Sequence, residues 1–129
     1  MPEGRQGIVI ESWLDSVRSQ FAEAAPELVA LFDTYAAEAK FGRRYIDSDL
    51  GRLRPGGSIL EVGAGSLLLS CQLVREGFDV TALEPVGDGF SHFDRMRQLV
   101  LVAAHSEDCC PTILDRPAEA LDVVDRFEY

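Results

Sequence analysis

Residues 58–84 constrain this 129-residue chain more than any other stretch. Ile59, Leu60 and Val62 form a short apolar run, Gly63 and Gly65 interrupt it, and Leu67, Leu68, Leu69, Leu73 and Val74 recur at helical spacing. The pattern predicts a strand, a glycine turn and a helix over residues 67–76. Gly77 stands where a helix C-cap glycine belongs, and residues 78–83 make a second apolar, β-rich run ending on Glu84. Together these form one βαβ unit with an acid at each strand tip.

Such a unit is suited to holding a nucleoside. Without Cβ atoms, Gly63 and Gly65 can adopt φ > 0 and let a ligand lie against the backbone, while the first N–H groups of the following helix point at whatever binds there. Glu84 lies 19 residues after Gly65, close to the ~20-residue offset at which an acid at the second strand tip accepts hydrogen bonds from ribose hydroxyls.

Two side chains bear on the rest of the ligand. A dinucleotide fingerprint starting at Gly63 would need a small residue at position 68, where Leu68 stands, so NAD is disfavoured. Glu61 places a carboxylate at the end of the first strand. It would repel a diphosphate but suits a ligand carrying an ammonium and a sulfonium, as S-adenosylmethionine does.

At these residues the chain resembles a known family. Glu61-Val62-Gly63-Ala64-Gly65 resembles the first motif of the class I (Rossmann-like) S-adenosylmethionine-dependent methyltransferases, D/E-x-G-x-G-x-G, with Leu67 at the third glycine position. Leu83-Glu84-Pro85 is similar to their second-strand acid, and the likeness covers residues 56–119, about half of the chain. The resemblance implies a Rossmann-like three-layer αβα sandwich of parallel strands. It also implies S-adenosylmethionine as cofactor and methyl transfer to a small-molecule N, O or C nucleophile. Gly63, Ala64, Gly65 and Ser66 would surround the methionine end, Glu61 would lie near the ammonium, and Glu84, followed by Pro85, would hold the ribose diol. Arg116-Pro117-Ala118-Glu119 falls where the third motif lies, which implies Ala118, through its backbone N–H, and Glu119 at the adenine edge. Plainer alternatives stand beside these: Glu61 and Glu84 as caps or exposed strand ends, and residues 115–119 as a helix N-terminal turn capped by Asp115. No catalytic residue and no metal ligand is assigned.

Composition narrows the partners. Twelve Lys and Arg against 22 Asp and Glu give a net charge of −10, which repels phosphate backbones and makes nucleic acid an unfavoured substrate. Cys71, Cys109 and Cys110 are odd in number and lack zinc-site spacing, so they read as reduced structural thiols. No apolar run approaches the ~18 residues of a membrane span, and no signal peptide is evident, so the expected location is cytoplasmic.

Around the βαβ unit, Ile10, Trp13, Leu14, Val17 and Phe21 predict an amphipathic helix ending near Ala24, because Pro26 restricts the residue before it. A second helix follows to about Tyr45, with Leu28, Leu31, Phe32, Tyr35 and Ala39 as its buried stripe. In the resembled family such helices pack beside the cofactor mouth. Arg43 and Arg44 can reach a ligand carboxylate from there or lie on a solvated face. Residues 48–57 read as a loop feeding the first strand. After Glu84, a helix carries Phe90, Phe93, Arg97 and residues 100–104, and a strand is expected around residues 112–114. His92 and His105 lack partners at ligand spacing and read as structural or exposed.

The expected organisation is a single S-adenosylmethionine-binding domain over residues 1–129, with N-terminal helices over 8–47 and a partial Rossmann-like core over 57–129. A fourth strand opens at Phe127-Glu128-Tyr129 and is expected to be incomplete. An unpaired edge on the first strand predicts self-association or a partner chain. Two readings remain beside the methyltransferase: an NAD-dependent Rossmann oxidoreductase, and a non-catalytic truncated or accessory chain.

Overall fold

The computed structural model describes residues 9–83 and 91–114. Helix α1, Ile10–Ala24, turns Ile10, Trp13, Leu14, Val17 and Phe21 inward, and it stops at Ala25, which at φ −153° and ψ 68° has left the helical region that Pro26 disfavours for the residue before it. Pro26–Leu28 is a single 3-10 turn, and α2, Val29–Tyr45, continues from it. Phe32 of α2 meets Phe21 of α1 with ring centroids 4.9 Å apart, within the range of favourable aromatic pairs.

Residues 48–50 depart from the loop expected over 48–57. Asp47–Leu50 forms one helical turn, α3, with Leu50 5% exposed in a small core with Ile59, Leu73 and Val80. The stretch is polar enough to read as a loop, and one buried leucine is what folds it down.

Three parallel strands follow: β1, Ser58–Val62, β2, Asp79–Leu83, and β3, Thr112–Leu114, in the order β1-β2-β3. Register pairs Ile59 with Val80, Glu61 with Ala82, and Ala82 with Ile113. Alternation therefore places Ile59, Glu61, Val80 and Ala82 on one face and Leu60, Val62 and Leu83 on the other. Helix α4, Leu68–Arg75, links β1 to β2, and α5, Ser91–Ser106, lies between β2 and β3. α4 starts at Leu68 rather than Leu67, because Leu67 is left-handed at φ 71°. Gly77, with φ 101°, closes the helix as expected and donates its N–H to the Val74 carbonyl at 2.9 Å.

α1 packs on α2, α4 and α5 around a continuous core that includes Trp13, Phe32, Leu67, Cys71 and Met96. Trp13, wholly buried, donates its indole N–H to the Leu68 carbonyl at 3.0 Å and so pins α1 to the first turn of α4. At the α2–α4 crossing, a Cβ on Gly42 would stand 3.3 Å from Leu69 Cδ2, so a small residue there sets how near the helices come. No helix among the described residues is long and apolar enough to cross a membrane.

Candidate functional site

Between the end of β1 and the start of α4 the backbone φ changes sign at each step. Gly63 stands at +67°, Gly65 at +57° and Leu67 at +71°, while Ala64 and Ser66 are not in the positive region. Alternation of this kind curls the chain tightly between the strand and the helix. The turn is fixed at both ends. The Gly63 N–H donates to the Leu83 carbonyl at 2.9 Å, extending the β1–β2 ladder by one bond, and the Leu67 N–H donates to the Ala64 carbonyl at 3.1 Å. Ser66 accepts the Leu68 N–H on its hydroxyl at 3.4 Å, covering one of the open donors of α4. A Cβ added at Gly63 would meet nothing within 4 Å, so the turn faces open space on that side.

Leu67 accounts for the missing third glycine. Its left-handed conformation costs an L-residue roughly 1–2 kcal/mol, and the side chain is fully buried against the core, which gains roughly 1.5–3 kcal/mol for a residue of this size. Packing therefore holds a leucine in backbone geometry that a glycine would adopt without strain.

Glu61 projects from β1 on the face that α4 covers. It is half-buried, and the Ser70 hydroxyl of α4 donates to its Oε1. Across from it lies α2. A cleft of about 330 Å³ separates Tyr35, Glu38 and Ala39 of α2 from Glu61, residues 63–66 and Leu69. That volume lies at the lower end of small-molecule sites.

Of the residues that the sequence singles out, Glu61, Gly63, Ala64, Gly65 and Ser66 are thus brought together around one cleft. Glu84, Pro85, Ala118 and Glu119 lie outside the described residues, as does the expected start of a fourth strand. Four lining residues, Tyr35, Glu38, Ala39 and Leu69, were not anticipated as part of a site. Tyr35, part of the α2 core stripe, does pack against the core and in addition lines the cleft half-buried, and Glu38, one turn further on, is exposed there. Their separation of three places both on one helix face, which was the available signal.

Arg43 serves neither of the roles open to it in sequence. Its guanidinium donates from Nε and Nη2 to the two Glu76 carboxylate oxygens, both at 2.7 Å, and from Nη1 to Asp47 Oδ1 at 2.9 Å. Gln72 Nε2 also donates to Glu76, at 2.8 Å. The bond to Glu76 pushes the Arg43 pKa further up, and the group ties α2 and α3 to the C-terminal end of α4. Arg44 is exposed.

The three cysteines are free thiols. Cys71 and Cys109 are buried in the same core, where the hydrogen bond between them raises Cys71, with burial adding to it, and lowers Cys109. Burial pushes the Cys110 thiol up. His105 is exposed in the last turn of α5.

The sequence is similar to two proteins of Mycobacterium tuberculosis, Uncharacterized protein MT1557 of strain CDC 1551 / Oshkosh and Uncharacterized protein Rv1509 of strain ATCC 25618 / H37Rv. Each is 46% identical over 125 residues, covering 97% of this chain and 42% of the relative. The chain thus spans less than half the length of the curated relatives it matches. No family model matches the sequence. No solved structure matches it.

Proposed function

We propose that this chain supplies the cofactor-binding half of a class I S-adenosylmethionine-dependent methyltransferase acting on a small-molecule nitrogen, oxygen or carbon nucleophile in the cytoplasm. Three parallel strands with α4 and α5 between them are compatible with part of a Rossmann-like αβα sandwich. The observation that carries the reading is the position of Glu61. It is a carboxylate at the tip of a parallel strand, held by Ser70, opening onto a small cleft beside a backbone turn with alternating φ sign.

When S-adenosylmethionine is bound it supplies an activated methyl group. In this reading Glu61 accepts hydrogen bonds from the ligand ammonium, and residues 63–66 pack along the methionine backbone. Glu84 holds the ribose hydroxyls, and Ala118 and Glu119 border the adenine. The protein's contribution to rate is then alignment of acceptor and methyl for in-line displacement, which can account for several kcal/mol of barrier reduction without a protein nucleophile.

The NAD-dependent alternative receives less support, because Leu68 is completely buried at the first position of α4, where close approach of a pyrophosphate calls for a small residue. A thermal-shift panel on the intact protein separates the two. S-adenosylmethionine and S-adenosylhomocysteine are expected to raise the melting temperature and NAD to leave it unchanged. The opposite pattern would overturn the proposal.

A further inference from the structure

The cleft holds one more acid than the ligand's ammonium requires. Glu61 and Glu38 face it from opposite walls, one on β1 and one on α2, and Tyr35 stands one helical turn before Glu38 on that second wall. Ala39, the remaining α2 residue on the cleft, is small and apolar. The α2 wall therefore offers a carboxylate and an aromatic ring side by side, a pairing that stabilises a diffuse cation poorly served by hydrogen bonds. A sulfonium is such a cation, because it carries positive charge and no N–H or O–H.

We propose that Tyr35 and Glu38 read the sulfonium charge, so that the site holds S-adenosylmethionine and releases the neutral thioether formed when the methyl has left. This rests on the cofactor reading above and adds a wall to it that the glycine turn does not supply. The two ligands share their ammonium, carboxylate, ribose and adenine, so the β1–α4 side of the cleft binds both alike. They differ by one methyl group and one positive charge, and a surface that responds to that charge separates them. Transfer conserves the electron count: the acceptor's lone pair forms the new bond to the methyl carbon, and the C–S electrons return to sulfur as a lone pair. The attraction to Glu38 and the Tyr35 face then disappears at the moment of product formation, which favours turnover over product retention.

Tyr35 packs partly against the core and leaves the rest of its side chain on the cleft. Phe32, Ala36 and Ala39 are the α2 residues turned fully inward, whereas Tyr35 is half-buried and Glu38 exposed, both on the open cleft.

The test is calorimetric titration of the intact protein with S-adenosylmethionine and with S-adenosylhomocysteine. It compares wild type with Glu38→Gln, Tyr35→Phe and Tyr35→Leu. Wild type is expected to prefer the sulfonium by about ten-fold, an effect of the size that a partly desolvated aromatic and a carboxylate together provide. Glu38→Gln and Tyr35→Leu should each bring the ratio of the two dissociation constants toward one, chiefly by weakening S-adenosylmethionine, while Tyr35→Phe retains it. If both ligands bind and the ratio is the same in wild type and Glu38→Gln, the charge-reading role is wrong and the cofactor assignment survives. If neither ligand binds wild type, the cofactor assignment itself fails. Glu38 is exposed, so its variant keeps the test decisive even if Tyr35→Leu does not fold.

Discussion

Ser70, in the first turn of α4, donates its hydroxyl to the Glu61 carboxylate at the tip of β1. The two residues are nine apart in sequence, and the glycine turn between them is what folds one back on the other. Ser70 is fully buried while Glu61 is half-buried and lines the cleft, so the bond holds the carboxylate at the cleft wall. Ser70→Ala is expected to cost about 1 kcal/mol of stability and to weaken S-adenosylmethionine several-fold, because Glu61 loses its orientation. Parallel denaturation and calorimetry check this. An unchanged affinity would mean that Ser70 orients nothing the ligand uses.

At Gly63 the backbone alone is strained by substitution, since an added Cβ meets nothing within 4 Å at φ +67°. Gly63→Ala should therefore lower stability by only about 1 kcal/mol. Affinity for S-adenosylmethionine should fall further than that, because the added methyl projects at the face where the proposed binding mode puts the methionine. Chemical denaturation set beside ligand titration separates the two effects.

Leu67 inverts an ordinary ranking. At a buried helical position Ala is more stable than Gly, but at φ 71° the order should reverse. Both Leu67→Ala and Leu67→Gly remove a fully buried side chain and should cost about 2–4 kcal/mol, with the glycine variant the less damaged of the two. Urea midpoints of both variants decide it, and an alanine advantage would refute the strain argument.

Two ion pairs make opposite predictions. Arg43 and Glu76 have side chains 18% and 8% exposed, so Arg43→Met, which leaves Glu76 with one fewer donor group, should destabilise by about 2 kcal/mol. The Arg18–Asp33 pair is at the surface, with 52% and 49% exposure. Its hydrogen bond lowers the Asp33 pKa, so any stability it adds is present above the ordinary carboxylate range and is lost as pH falls through the depressed value. Asp33→Asn should leave the neutral-pH unfolding midpoint at the wild-type value, because screening removes nearly all of the gain. Thermal melts at neutral and acid pH test both variants.

The βαβ unit was legible because its signals are local: apolar period, glycine breaks and the glycine that ends α4. Strand β3 and helices α1 and α2 were readable for the same reason. What escaped was set by tertiary packing. Leu50 turns a polar stretch into the helical turn α3 by burying itself beside Ile59 and Leu73. Arg43 is claimed by Glu76, 33 residues away. Tyr35 packs partly against the core, as its place in the α2 stripe implies, and also lines the cleft, which no periodicity within α2 encodes.

The central claim is that the carboxylate at the tip of β1 grips the ammonium of S-adenosylmethionine. Titration calorimetry of the intact protein, wild type against Glu61→Gln, addresses it directly. A charge-assisted contact of about 1.5–3 kcal/mol predicts a loss of roughly ten- to hundred-fold in affinity with the fold intact. Equal affinity in the two proteins, or no heat from the wild type, would contradict the account.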